Sequence, residues 1–232
     1  QIYYMKKEKI SIPVSTVILM IVTITYKLVL VVIGIGIAIF GRGFLHRYLE
    51  GILPVFYLGL MLNIFCVTFM TILVFHPLFA KAILVKGMKL LERFHLMRKK
   101  EGRLKKLEAS MDTYRNTAAY LKNNPLVIVK VIGITFIQRM ALFAVTWFVY
   151  QAFGLHGTGF WDILFLQAVI SVSVDMLPLP GGMGISESLY LVMFAPVFGE
   201  ALLPAMLLSR GISYYAQMLI SAAMTCVAHL VI

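Results

Sequence analysis

Charge is scarce in this 232-residue chain. Asp, Glu, Lys and Arg make up 13% of the residues, where an ordinary soluble domain carries roughly 25%. The apolar share is 61%, more than a water-surrounded core can bury, so a soluble enzyme is excluded. Cysteine is also rare. Cys66 and Cys226 both lie inside apolar runs, which excludes a disulfide framework and reads as packing or lipid-facing positions, with no thiolate chemistry. The histidines His46, His76, His95, His156 and His229 have no metal-ligand spacing. Neither a nucleotide-phosphate loop nor a dinucleotide fingerprint is present, and Gly184-Ile185-Ser186-Glu187-Ser188 lacks the second glycine of a nucleophile elbow. No catalytic residue, metal or cofactor is therefore expected. A secretory signal is missing too: Lys6, Lys7 and Lys9 precede an apolar run too long for a signal-peptide core.

Long apolar runs are what the chain does contain. They extend over about Ser11–Phe40, Gly51–Ala80, Leu126–Phe153, Trp161–Leu177 resuming at Met183–Phe198, and Ala201–Ile232. A bilayer-crossing helix needs about 20 such residues, and a β-barrel would show short alternating strands instead. The expected fold class is an all-α integral membrane protein, a polytopic helical bundle forming a single membrane domain over residues 1–232. The chain begins at Gln1 rather than Met, so a fragment with upstream helices missing is expected.

The acidic residues number 10 against 21 Lys and Arg, for a net charge of +11. Much of that excess is local: Lys81 to Lys122 holds 12 Lys and Arg and 4 Asp and Glu. The positive-inside rule makes this basic arm, residues 81–124, cytoplasmic, and by alternation the lysine-bearing N-terminus with it. The loops Arg42–Glu50 and Gly154–Phe160 are then outside. Leu104, Leu107, Met111, Tyr114, Ala118 and Leu121 recur at spacings of three and four and form one helical face, which Asn123, Asn124 and Pro125 end. Two readings fit it: a helix lying on anionic headgroups, or a helix packed on its neighbours with its charges enforcing topology. Nucleic acid is not expected as a partner, because the arm has little aromatic interleaving.

The segment Asp175–Tyr190, DMLPLPGGMGISESLY, interrupts an apolar region with Pro178, Pro180, Gly181, Gly182 and Gly184. Broken backbone at membrane depth is tolerated only inside protein or along an aqueous cavity. The flanking stretches are short, so a re-entrant helical hairpin is the economical reading; two short full spans have the same parity. A helix starting after Gly182 would aim free N–H groups and its positive dipole end inward, a site for a phosphate. The alternative is a plain Pro-Gly turn.

Ionisable residues within the apolar runs sharpen the question. Arg139, Asp175, Glu187 and Arg210 each cost about 2.5–3.5 kcal/mol at a helix centre on insertion scales, so each needs a partner or a wet cavity. They are either mutually neutralising ion pairs that hold the bundle, or the wall of a cavity in which Arg139 and Arg210 hold a lipid phosphate while Glu187 orients the hairpin. Tyr214 follows Arg210 by one turn and either joins that polar face or packs. Lys27 and Lys130 say less: Lys130 can reach the cytoplasmic surface, and Lys27 stands mid-run beside Tyr26.

The stretch Leu177-Pro178-Leu179-Pro180-Gly181-Gly182-Met183-Gly184-Ile185-Ser186-Glu187 resembles the signature of the lysylphosphatidylglycerol synthase transmembrane region, also called the flippase-like membrane domain. Ser209-Arg210 with Tyr214, and the placement of the basic arm, extend the resemblance across most of the chain, although only Pro178 to Arg210 is specific. It implies a prokaryotic cytoplasmic-membrane protein that moves an anionic or aminoacylated phospholipid, of the phosphatidylglycerol or lysyl-phosphatidylglycerol type, between leaflets and thereby lowers attraction for cationic antimicrobial peptides. A polyprenyl-linked lipid is another candidate cargo. Taken with the intramembrane charges, the resemblance leads to a candidate substrate-binding set of Arg139, Asp175, Pro178, Pro180, Gly181, Gly182, Gly184, Glu187, Arg210 and Tyr214. The larger members add a soluble aminoacyl-transferase domain that these 232 residues do not contain, so lysyl transfer is not expected of them. Expected partners are membrane phospholipids with anionic headgroups, with a homo-oligomer or a separate synthase domain as further possibilities. Two rival functions stand beside the flippase: the membrane half of a lipid-modifying enzyme that presents lipid to a catalytic domain, and a non-transporting scaffold whose arm recruits a partner.

Overall fold

The computed structural model describes residues 2–40, 51–76, 79, 81–82, 86, 103–177 and 182–231. Among them every regular element is helical. The helices are α1 (Ile2–Lys7), α2 (Ile12–Phe40), α3 (Leu53–Phe75), α4 (Arg103–Asn123), α5 (Pro125–Ala152), α6 (Phe160–Val174), α7 (Ile185–Phe198), α8 (Leu202–Arg210) and α9 (Gln217–Val231), with a π-helical segment, Gly211–Ala216, joining α8 to α9. Four stretches are long and apolar enough to cross a bilayer: Ile12–Phe40, Leu53–Phe75, Pro125–Ala152 and Ile185–His229. The fourth is not straight. Glu187 meets Arg210 and Tyr190 meets Ser209, although 23 residues of straight helix would hold the first pair about 35 Å apart. The chain doubles back at Gly199, whose φ of +53° is the left-handed conformation glycine adopts without penalty. The sequence marked this place only as a gap between two apolar runs.

Two compact units divide the chain. The first comprises Gln1–Thr25 and Cys66–Ile132. Here Tyr114 and Ala118 of α4 are buried against Val17, Ile21, Ile24 and Val74, with Leu121 packed beside them. The Tyr114 hydroxyl donates to the Leu73 carbonyl at 3.0 Å, and burial raises its pKa above the ordinary phenol value. Of the two readings of the amphipathic stripe, the described part is therefore a helix packed on its neighbours. The arm ends as its sequence predicts: the Asn124 amide donates to the Tyr120 carbonyl at 2.8 Å, and Pro125 opens α5 at the first helical position, where an N–H would have no intrahelical acceptor. Most of 81–102, and the loop 42–50 expected outside, lie outside the described residues.

The second unit comprises Tyr26–Phe65 and Gly133–Ile232. Its core joins α6 and α7 to the C-terminal half of α2, the N-terminal half of α3 and the C-terminal half of α5, around Leu30, Phe56, Tyr150, Leu166, Val169, Tyr190, Met193 and Phe194. Backbone comes close where Gly59 of α3 meets α6. A Cβ added there would lie 2.6 Å from the Val172 carbonyl and 2.7 Å from Ser173 Cα. Beside it the buried Asn63 amide donates to the carbonyls of Gly59 and Val172 at 2.9 and 3.2 Å. Close approach at small residues plus an interhelical hydrogen bond is how helices associate where lipid is as apolar as leucine.

Gly59→Val must push α6 away, an overpacking cost of about 1–3 kcal/mol. The expected result is a midpoint roughly 2–12 °C lower in a detergent thermal-aggregation scan. Gly36→Ala, where an added Cβ meets nothing within 4 Å, should leave the midpoint unchanged or slightly raised. Equal midpoints for Gly59→Val and the native chain would show that α3 and α6 do not pack this closely.

Candidate functional site

The connection from α6 to α7 is built around one carboxylate. Gly184 has φ +84° and precedes α7, and its N–H donates to Glu187 Oε2 at 2.6 Å. Ser186 Oγ lies 3.0 Å from the same oxygen and 2.9 Å from the Gly182 carbonyl. Glu187 Oε1 accepts from Arg210 Nε at 2.9 Å. One side chain thus closes the first turn of α7 and ties it to the end of α8. Gly182, with φ +64°, packs against Val174, whose side chain would be 3.0 Å from an added Cβ. Both glycines hold conformations that L side chains rarely adopt.

A polar cavity of about 290 Å³ opens beside this connection, lined in part by Tyr26, Arg139, Gln167, Ser171, Asp175, Gly182, Arg210, Ser213, Tyr214 and Gln217. Of the residues implied from sequence, Arg139, Asp175, Gly182, Arg210 and Tyr214 are brought together on its wall. Glu187 and Gly184 do not line it but hold Arg210 and the turn. Pro178, Pro180 and Gly181 lie outside the described residues. The π-helical segment supplies Ser213 and Tyr214 to the wall; such wide turns recur at functional sites.

The charges pair differently from a simple match of two acids with two arginines. Asp175 Oδ2 takes the ammonium of Lys27 at 2.6 Å, with both side chains about nine-tenths buried, and its Oδ1 accepts the Tyr26 hydroxyl at 2.7 Å. Lys27 thus carries more than its place in the sequence conveyed. Glu187 and Arg210 form the second pair. Arg139, near the middle of α5, is left with no carboxylate partner among the described residues. Its guanidinium lies 4.0 Å from the centroid of the Tyr26 ring, a cation–π contact, and its buried Nε has no hydrogen-bond partner. Among the described residues the cavity wall therefore carries Asp175 and Arg210, each paired with a side chain that does not line it, and Arg139, a cation with no carboxylate partner and a donor to spare.

Sequence reasoning missed Tyr26, Gln167, Ser171, Ser213 and Gln217. Each is a neutral polar residue in an apolar run, and only Tyr26, adjacent to a mid-run lysine, gave any signal. No group of three or more His, Cys, Asp or Glu side chains converges among the described residues.

A polytopic α-helical membrane protein with a broken segment and a cationic cavity is the class this geometry defines. Over residues 1–221 the chain matches the family described as the lysylphosphatidylglycerol synthase TM region. It belongs to that family. No curated protein and no solved structure matches it.

Removing one partner of a buried pair strands a charge and costs about 3–5 kcal/mol, more than removing the pair. Lys27→Met should therefore lower the thermal midpoint clearly, and Lys27→Met combined with Asp175→Asn should recover much of the loss. A double variant less stable than Lys27→Met alone would mean that Asp175 is held by groups other than Lys27.

Proposed function

We propose that the 232 residues act together as one membrane domain that moves an anionic or aminoacylated phospholipid between leaflets, with the headgroup phosphate entering the polar cavity. The observation that carries this reading is Arg139: a cation near the middle of a membrane helix, without a carboxylate among the described residues, facing a polar cavity. Such a charge is costly in hydrocarbon, and a phosphate with several acceptor oxygens would satisfy it with charge-assisted hydrogen bonds. Arg210 stands on the same wall, held by Glu187 and 5.2 Å from the Tyr214 ring centroid. Family membership supports phosphatidylglycerol and its lysyl ester as the cargo to try first. On this reading the protein sits in the cytoplasmic membrane of a prokaryote, the N-terminus and basic arm face the cytoplasm, and the physiological effect is resistance to cationic antimicrobial peptides. The family's description as the membrane region of a synthase favours a second reading, presentation of lipid to a catalytic domain without leaflet exchange.

Reconstitution into liposomes separates the two. Leaflet exchange of fluorescent phosphatidylglycerol and lysyl-phosphatidylglycerol, followed by external quenching, should be faster than in protein-free vesicles. Arg139→Gln and Arg210→Ala should each slow it at least about tenfold, a loss of roughly 1.4 kcal/mol in barrier lowering, with thermal midpoints showing folded protein. Folded protein that exchanges neither lipid faster than empty vesicles would sink the flippase and leave presentation.

A further inference from the structure

A second cavity, of about 570 Å³, lies against the first and is apolar. Val32, Ile33, Gly36, Ile37 and Phe40 of α2, Phe136, Met140 and Phe143 of α5, and Leu164, Phe165 and Ala168 of α6 are among its lining residues. Its volume falls within the range of about 300–1,000 Å³ common to ligand clefts. Phe143 lines both cavities. The two are laid end to end along the same helices. On α6 the polar cavity takes Gln167, Ser171 and Val174 while the groove takes Ala168, Leu164 and Phe165. On α2 the polar cavity takes Tyr26 and the groove continues from Val32 to Phe40. Arg139 and Met140, adjacent on α5, face one cavity each.

We infer that the groove seats one acyl chain of the lipid whose phosphate the polar cavity receives. The inference rests on the headgroup reading above and deepens it. A molecule with an anionic group joined to a hydrocarbon chain matches the two compartments in order: the unneutralised cation Arg139 at one end, and an apolar wall beyond Phe143. Charge also fixes the direction. The acid lining the groove, Asp162, stands at the start of α6, at the end remote from Arg139, and repels a phosphate from that end. Gly36 keeps the groove open, because a Cβ there meets nothing within 4 Å and any larger side chain would project into free space.

The test uses phosphatidylglycerol with a diazirine at the end of one acyl chain, and a diacylglycerol with the same chain as a neutral probe, in phosphatidylcholine nanodiscs. Labelled residues are located by mass spectrometry. The charged probe should label Phe136, Met140 or Phe165 at least fivefold more than the neutral one. Arg139→Gln should erase that difference. Gly36→Leu, or Val32→Trp as an independent block, should cut labelling by the charged probe at least fivefold while binding of dihexanoyl-phosphatidylglycerol, too short to fill the groove, stays unchanged. Equal labelling by the two probes, or labelling indifferent to both blocks, overturns the groove; if the short-chain lipid still binds and Arg139→Gln abolishes that binding, the headgroup site survives it. Failure of the short-chain lipid to bind the native protein removes the headgroup site, and this inference with it.

Discussion

A chain that stops being helical inside hydrocarbon has to find protein partners for the N–H and C=O groups it frees. At the start of α7, Glu187 supplies an acceptor for one such N–H. One carboxylate oxygen accepts the Gly184 N–H and approaches the Ser186 hydroxyl, and the other accepts Arg210. An apolar residue at this position would leave the Gly184 N–H without its acceptor and Arg210 without its counter-charge. The start of α7, the reversal at Gly199 that returns α8 alongside it, and the orientation of the Arg210 side chain therefore depend on one another. A neutral Gln could still accept hydrogen bonds but would give up the ion pair, so the turn and the charge balance are separable in principle although one residue serves both.

Buried ion pairs contribute little net stability, because desolvation offsets most of the attraction. Their value here lies in what they leave over. Lys27 and Tyr26 each take one oxygen of Asp175, and Glu187 engages Arg210, so the charge of each acid is already balanced by a cation other than Arg139. The cation–π contact with Tyr26 holds the Arg139 guanidinium over the ring, and its Nε keeps an unused N–H donor. The same tyrosine thus fixes Asp175 through its hydroxyl and Arg139 through its ring. That arrangement keeps a carboxylate and a guanidinium on one cavity wall without letting them pair.

Hydropathy is a local property, and what it governs was readable from the sequence. The long helices fall within the apolar runs, trimmed by a few residues at most ends, and the arm ends at Asn123 with Pro125 starting the next helix. The Pro178–Glu187 signature led to the family and to Glu187, and the cost of intramembrane charge led to Arg139, Asp175 and Arg210. Pairing across the fold was not readable. Lys27 reaches an acid 148 residues away, and nothing in either neighbourhood says which helices cross there. The turn at Gly199 looked like a gap because the apolar character on both sides is the same whether the chain continues or reverses. Neutral polar residues such as Gln167 and Ser213 carry little hydropathic penalty, so their convergence becomes visible only once the helices are placed.

On the proposed function, Arg139, unneutralised among the described residues, also bears on rate. A pathway needs a site attractive enough to draw its cargo in and weak enough to release it. Were neither arginine paired, the cavity would bind a phosphate strongly and hold it, and binding the cargo equally in every state along the path does not speed its passage. Complete neutralisation would leave nothing to offset the headgroup's lost hydration. Glu187 tempers Arg210, and Asp175, already spoken for by Lys27 and Tyr26, leaves Arg139 active. On that reading, balanced attraction of this kind suits a carrier of anionic lipid better than a high-affinity receptor for one, and it accounts for why an acid, Asp175, stands on the wall of a cavity proposed to take a phosphate.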